Sequence, residues 1–164
     1  PAFTGLSGET AVRADWCTGR VAMTGKSYLG TLCYGVASMA PEGLVTIIPE
    51  AGIVNWYDYY RQNGLCTPAM DWQGDDIDLL AGYCFSRALD PDWEQIKPAY
   101  LAFKARITEQ MDRASGNFNP FWQERDYLPR IPDYKASVLI VQGINDWNVK
   151  MNLAVPAWNA LRIS

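Results

Sequence analysis

The residues whose types and spacing could do chemistry are Gly25-Lys26-Ser27-Tyr28-Leu29-Gly30. They lie between a short run, Arg20-Val21-Ala22-Met23-Thr24, and a stretch of small and apolar residues from Thr31 to Ala40. Read as strand, tight turn and helix, they give Gly25-x-Ser27-x-x-Gly30. This is a nucleophile elbow whose last glycine falls one residue later than usual, Leu29 standing in the ordinary place. A serine at the tip of such a turn is strained and needs small neighbours, and Gly25 lets strand and helix approach closely. The helix would point its positive end at Ser27, and the backbone N–H of Tyr28 would face a developing oxyanion. The chemistry is acyl transfer through Ser27. The plainer alternative is an ordinary Gly/Ser turn between a strand and a helix.

A second chemical residue stands far downstream. The run Val138-Leu139-Ile140-Val141-Gln142 reads as a buried parallel strand and is followed by Gly143-Ile144-Asn145-Asp146. An Asp just past a strand's C-terminal end sits where open α/β sheets carry their working residues. Asp146 also follows the serine in the chain order that an elbow enzyme requires of its acid. Its structural alternative is a cap for the helix near Lys150. A Ser–His–Asp enzyme needs an imidazole to take the serine proton, and these 164 residues contain no histidine. Either the chemistry is of another type or the chain is part of a longer enzyme. The first residue, Pro1 rather than Met, agrees with the latter expectation.

Composition narrows the class. The chain has the length of about one domain, with 49% hydrophobic and 20% charged residues, as in an ordinary globular protein. A net charge of −4 argues against a nucleic-acid partner. No apolar run is long enough to span a membrane and no secretory leader opens the sequence. Cys17, Cys33, Cys66 and Cys84 are widely spread and form no CxxC pair. They read as reduced, mostly buried thiols of a cytoplasmic protein, with no metal site and no cofactor.

The elements that must position Ser27 and Asp146 are legible in outline. Residues 1–19 form a lead-in, with Ala11 to Trp16 as the end of a helix. Strands are expected at 20–24, 44–48 and 138–142, and a helix at 28–40 ended by Pro41-Glu42-Gly43. Asn55-Trp56-Tyr57-Asp58-Tyr59-Tyr60-Arg61 follows the second strand and is either core packing or a pocket wall. Asp71 to Asp76 reads as an acidic loop. Ile77, Leu80, Ala81 and Cys84 have helical spacing, Asp90-Pro91-Asp92 signals a helix start, and Tyr100, Phe103, Ile107 and Met111 share one helical face. Residues 118–127 allow a short helix, and 151–162 a last one containing Pro156. The fold class expected is α/β, a parallel sheet segment of α/β-hydrolase type with an inserted helical cap. Residues 1–52 and 129–164 would form a partial catalytic core, and 53–128 the aromatic loop and cap.

Four segments carry a resemblance: Gly25 to Thr31, Trp56 to Arg61, Gln73-Gly74-Asp75-Asp76-Ile77-Asp78, and Asp146-Trp147-Asn148-Val149-Lys150. Together and in this order, the sequence from about residue 15 onward resembles the bacterial X-prolyl dipeptidyl aminopeptidases, serine exopeptidases of α/β-hydrolase fold. Those enzymes are much longer, so the resemblance implies a central fragment of a catalytic domain. It implies Ser27 as nucleophile, Asp146 as the acid that orients a histidine, and Tyr28 as a backbone oxyanion donor. The family's second oxyanion donor, a tyrosine hydroxyl, would come from upstream. Trp56, Tyr59 and Val149 match positions that wall a proline pocket, where a flat ring stacks on aromatic surface. Asp75 and Asn148 match positions that hold a substrate's free amino terminus. Asp75 stands where the family usually has Glu, one methylene longer; its alternative is a solvated loop carboxylate. The partners implied are a proline-containing peptide, the remaining segments of the same polypeptide and, in the complete protein, a second copy in a homodimer. The competing functions are a related esterase or acylase, and a catalytically dead interaction module.

Overall fold

Short runs of apolar and β-branched residues become strands where another strand accepts them, and each pairing fixes which side chains face the core. The computed structural model describes residues 2–4, 11–13, 15–61 and 76–163. Strand β1, Ala2–Thr4, pairs antiparallel with β2, Ala11–Arg13, in the register Ala2↔Arg13. This corrects the expectation of a helix end beginning at Ala11. A three-residue run has no periodicity to separate helix from strand, and the partner at Ala2–Thr4 decides it.

Strands β3, Val21–Lys26, and β4, Leu44–Glu50, pair in parallel, and β5, Ser137–Val138, adds to the other side of β4 to give the order β3-β4-β5. The predicted strand at 138–142 thus begins one residue earlier and is regular for only two residues. The chain still runs beside β4 beyond it: Leu139 N–H donates to Ile47 O (3.0 Å), Val141 N–H to Pro49 O (3.1 Å), and Ala51 N–H to Val141 O (2.8 Å). All three strands therefore end on one edge, which carries Ser27, Glu50 and the 142–149 loop.

Helix α1, Tyr28–Ala37, crosses between β3 and β4 and buries Cys33, Tyr34 and Ala37 against Leu44 and Ile47. It stops three residues before the expected Ala40. Ser38 donates its hydroxyl to Gly35 O (2.7 Å), and Ala40 takes φ 45°, which no helix continues through. In the turn that follows, Gly43 has φ 87°, and a Cβ there would lie 2.5 Å from Gly19 O. Helix α2, Trp56–Tyr60, opens with the Asn55 side chain accepting the Asp58 N–H (3.0 Å).

Residues 77–123 supply helices α3, Ile77–Phe85, α4, Trp93–Gln110, and α5, Pro120–Gln123. Helix α4 begins directly after the Asp90-Pro91-Asp92 start signal and runs through Pro98. Among the described residues, nothing from this block joins the three-stranded sheet; one antiparallel bridge, Asn55↔Asp126, ties its end to α2. A 3-10 helix, Leu128–Asp133, leads back to β5, and α6, Met151–Arg162, packs Leu153, Ala154 and Ala157 into the core despite Pro156 in its interior. The thiols differ from expectation: Cys33 is buried, Cys17 half-buried and Cys84 exposed, while Cys66 lies outside the described residues.

Thr31 joins these layers. It is 2% exposed, and its hydroxyl oxygen accepts the buried Ile53 N–H (2.9 Å). Thr31→Val keeps the shape and orphans that N–H, so chemical denaturation is expected to show a loss of about 1–3 kcal/mol. A variant as stable as the parent would mean that the Ile53 N–H finds another acceptor.

Candidate active site

Ser27 sits at φ 59°, ψ −128°, a conformation that residues with a side chain rarely adopt. It persists because its flanks are pinned. The Ser27 N–H donates to Glu50 O (2.9 Å), and its carbonyl accepts the Thr31 N–H (3.0 Å) as α1 begins. Among the described residues its hydroxyl has no hydrogen-bond partner, so the oxygen is held at the mouth of a helix with no competing contact.

The displaced glycine of the elbow has a physical reason. A Cβ on Gly30 would lie 2.8 Å from Gly25 O, 3.0 Å from Glu50 O and 3.0 Å from the Gly52 Cα. A Cβ on Gly25 would meet Leu29 at 2.7 Å, and one on Gly52 would meet Tyr34 at 2.9 Å and Gly30 at 3.0 Å. Here the first turn of α1 touches both the end of β3 and the turn after β4 through residue 30. Leu29 points outward, about half exposed, and needs no small side chain.

Asp146 lies on the same edge. Its Oδ1 accepts the N–H groups of Asn148 (2.9 Å) and Val149 (3.0 Å), and its own N–H donates to Gly143 O (3.2 Å). Gln142 Nε2 donates to Val149 O (2.6 Å) and closes the loop. Oδ2 has no hydrogen-bond partner among the described residues. Asp146 does not cap α6, whose N-cap is Lys150 with no side-chain cap bond; one of its oxygens organises the turn before that helix, and the other is available. Ser27 follows β3 and Asp146 follows the chain that continues β5, two strands with β4 between them.

The aromatic segment reaches this loop from α2. Tyr59 donates its hydroxyl to Asn148 Oδ1, and the Trp56 and Tyr59 rings meet edge to face at 5.9 Å. Asn152 Nδ2 donates to Asp58 O (3.3 Å), a second tie between α6 and α2. An amide oxygen has two lone pairs; one takes Tyr59, and the other can accept from a cation. Trp56, Tyr59 and Asn148 are thus brought together. Val149 is next to them, but its side chain is 2% exposed and packed in the core. Tyr28 follows Ser27 directly and its side chain is half exposed. Asp75 lies outside the described residues.

The acidic stretch ends differently from its expected loop character. Asp76 is 2% exposed, and its carboxylate takes both terminal nitrogens of Arg61 (3.0 Å each) and the Nε of Arg113 (3.0 Å). Asp78, also buried, binds Arg113 (2.9 Å) and the Thr108 hydroxyl (2.9 Å). Arg61 is fully buried over the Trp122 ring, 5.1 Å from its centroid. This network joins the end of α2 to the start of α3 and the end of α4. Sequence reasoning missed it. The usable signal was Arg61 closing an aromatic run, with a second arginine just beyond a predicted helix. Elsewhere in the site, burial raises the carboxyl pKa values of Asp58 and Asp126. No group of three or more metal-ligating side chains occurs among the described residues.

A strained serine between a parallel strand and a helix, with an acid past the strand two places along, is the arrangement of the α/β-hydrolase fold. The backbone is similar to the acylaminoacyl peptidase of Pyrococcus horikoshii (orthorhombic form; TM-score 0.54, 15% identity, 88% of this chain and 17% of that one). It is also similar to an alpha/beta fold family hydrolase of Bacillus anthracis (TM-score 0.50, 14% identity, 87% and 56%). The family model for X-Pro dipeptidyl-peptidase (S15 family) matches residues 10–164, and the chain belongs to that family. The Xaa-Pro dipeptidyl-peptidase of Lactiplantibacillus plantarum is 49% identical over 162 residues, covering 98% of this chain and 20% of the relative. That of Ligilactobacillus salivarius is 44% identical over 161 residues, with the same coverage. The chain thus spans about a fifth of the length of these relatives.

Removing Arg61 tests the buried network. Arg61→Met leaves Asp76 with a single cation and is expected to cost roughly 3–5 kcal/mol by denaturant titration. Arg113→Met, at a half-exposed partner, is expected to cost clearly less. Equal losses would mean that burial is not what sets the strength of the pairs.

Proposed function

We propose that these residues form the central part of a serine exopeptidase that releases X-Pro dipeptides from the free amino terminus of peptides. The observation that carries this reading is Ser27 at the strained elbow, facing a loop where Tyr59 and Trp56 meet Asn148. Family membership supports the same substrate class.

Ser27 Oγ attacks the proline carbonyl carbon while its proton passes to a base. The carbonyl oxygen becomes an oxyanion facing the Tyr28 N–H, at the positive end of α1. Collapse breaks the C–N bond, the base returns the proton to the leaving amine, and water then hydrolyses the acyl-serine. The base is a histidine from outside these 164 residues, oriented by Asp146. The apolar side chains exposed on β3 and just past β5, Val21, Leu139 and Val141, support further segments of the polypeptide packing against this sheet. Trp56 and Tyr59 flank the proline, with Val149 behind them. The substrate ammonium is held by Asp75 and by the free lone pair of Asn148 Oδ1. An acidic group in a low-dielectric site recognises a cation strongly.

Two measurements test this. The 164-residue chain alone is expected to leave a chromogenic Gly-Pro substrate uncleaved, because a lost triad member leaves only about 10³–10⁴ over water; enzyme-like turnover would reveal a different base. In the complete polypeptide, Asp75→Ala is expected to lower kcat/KM for a free-amine X-Pro substrate about ten- to a hundred-fold more than for a small neutral ester. Ser27→Ala is expected to abolish both activities. Equal losses on the two substrates would make Asp75 a support of the fold, and no loss on either would make it a solvated loop residue.

A further inference from the structure

Beside the elbow opens a cavity of about 370 Å³ that shares Trp56, but not Tyr59, Asn148 or Val149, with the contacts proposed above. One wall is the first two turns of α1, through Tyr28 and Leu32; the others are Trp56 and the α3–α4 pair, through Leu80, Phe85 and Phe103. Phe85 and Phe103 meet edge to face at 5.9 Å and close its far side. Among the described residues lining it, the one cation, Arg125, is engaged: its guanidinium lies 3.8 Å from the Phe121 ring centroid and donates to Phe121 O at 2.6 Å. The space is therefore apolar, of the size of a small-ligand site, and suits a large hydrocarbon or aromatic group.

Its position selects the occupant. Tyr59, Asn148 and Val149 do not line it, and Trp56 is shared between it and the Trp56–Tyr59–Asn148 cluster. Trp56 thus stands between this cavity, which borders the elbow through Tyr28, and the Tyr59–Asn148 pair. A peptide carbonyl seated at Ser27 has chain leaving it in two directions. If the proline and the amino terminus take the Tyr59–Asn148 side, the chain on the other side of the scissile bond is left facing Tyr28. We infer that this cavity receives the side chain of the residue immediately after the scissile bond, and that it favours a large apolar residue there. The inference rests on the X-Pro reading above and adds a leaving-side preference to it.

The test uses the complete polypeptide and the amidated peptides Ala-Pro-Gly, Ala-Pro-Phe and Phe-Pro-Gly. The wild type is expected to cleave Ala-Pro-Phe with a kcat/KM about ten-fold or more above Ala-Pro-Gly, the scale that apolar pocket contacts supply. Cys84 lines the cavity and is exposed, so Cys84→Trp fills the space without disturbing the core. In that variant the Phe-over-Gly ratio on the leaving side is expected to fall to about one, while the ratio of Phe-Pro-Gly to Ala-Pro-Gly stays at its wild-type value. Leu80→Ala, which enlarges the cavity, is expected to move the preference toward a leaving-side Trp and gives a second route should the first variant fold poorly. Collapse of the Phe-Pro-Gly ratio instead would assign the cavity to the first residue of the substrate and overturn the inference. An equal loss on all three peptides, which would assign the cavity to proline, also overturns it. So does a wild type that cleaves X-Pro peptides with no leaving-side preference. A wild type that cleaves none of the three overturns the X-Pro reading itself.

Discussion

Three glycines from different elements meet at one point, and the site depends on that contact. Gly25 ends β3, Gly30 lies in the first turn of α1, and Gly52 follows β4; at each, a Cβ would come within 2.7–3.0 Å of other atoms. Their closeness lets α1 start immediately beside two strand ends, and that start forces Ser27 to φ 59°. Strain at one residue costs of order 1–3 kcal/mol. It is offset locally, by the Ser27 N–H on Glu50 O and by Thr31, which binds both the Ser27 carbonyl and the Ile53 N–H. The serine hydroxyl is thereby held outward at a helix N-terminus before any substrate arrives.

The remaining parts are arranged relative to that fixed point. The parallel register of β3, β4 and β5 carries Asp146 to the same edge, past the chain that continues β5. The Asp146 carboxylate folds its own loop with one oxygen, which sets Asn148 against Tyr59. Helix α2 presents Tyr59 and Trp56 from the other side, and the Arg61–Asp76 pair at its end ties it to the helical block above. The buried charges thus act as a clasp between α2 and the helices α3 and α4. Taking one partner away is expensive because the other is left desolvated.

Much of this was legible in the residues. The elbow, the order of strand, helix and strand, and the acid past the last strand all follow from local pattern and chain order. The contact of Tyr59 with Asn148, residues 89 apart, is not a local pattern; it came within reach through the four matching segments. What escaped has identifiable physical causes. The Gly30 offset looked like a weakness of the motif because a backbone crossing is invisible until Gly52 is placed beside it. Asp76 looked solvated because its two arginines lie 15 and 37 residues away. The hairpin of β1 and β2 rests on pairing between runs too short to carry a period. Pro98 and Pro156 sit inside helices that tertiary packing holds together, against the local preference of proline.

Backbone strain and a hydroxyl with no partner among the described residues single out Ser27 as the candidate nucleophile. Treating the complete polypeptide with a fluorophosphonate and mapping the adduct by peptide mass spectrometry tests this most directly. One covalent adduct is expected, on Ser27, and it is lost in Ser27→Ala. An adduct on any other residue with Ser27 unmodified, or labelling of Ser27→Ala at the parent rate, would contradict it.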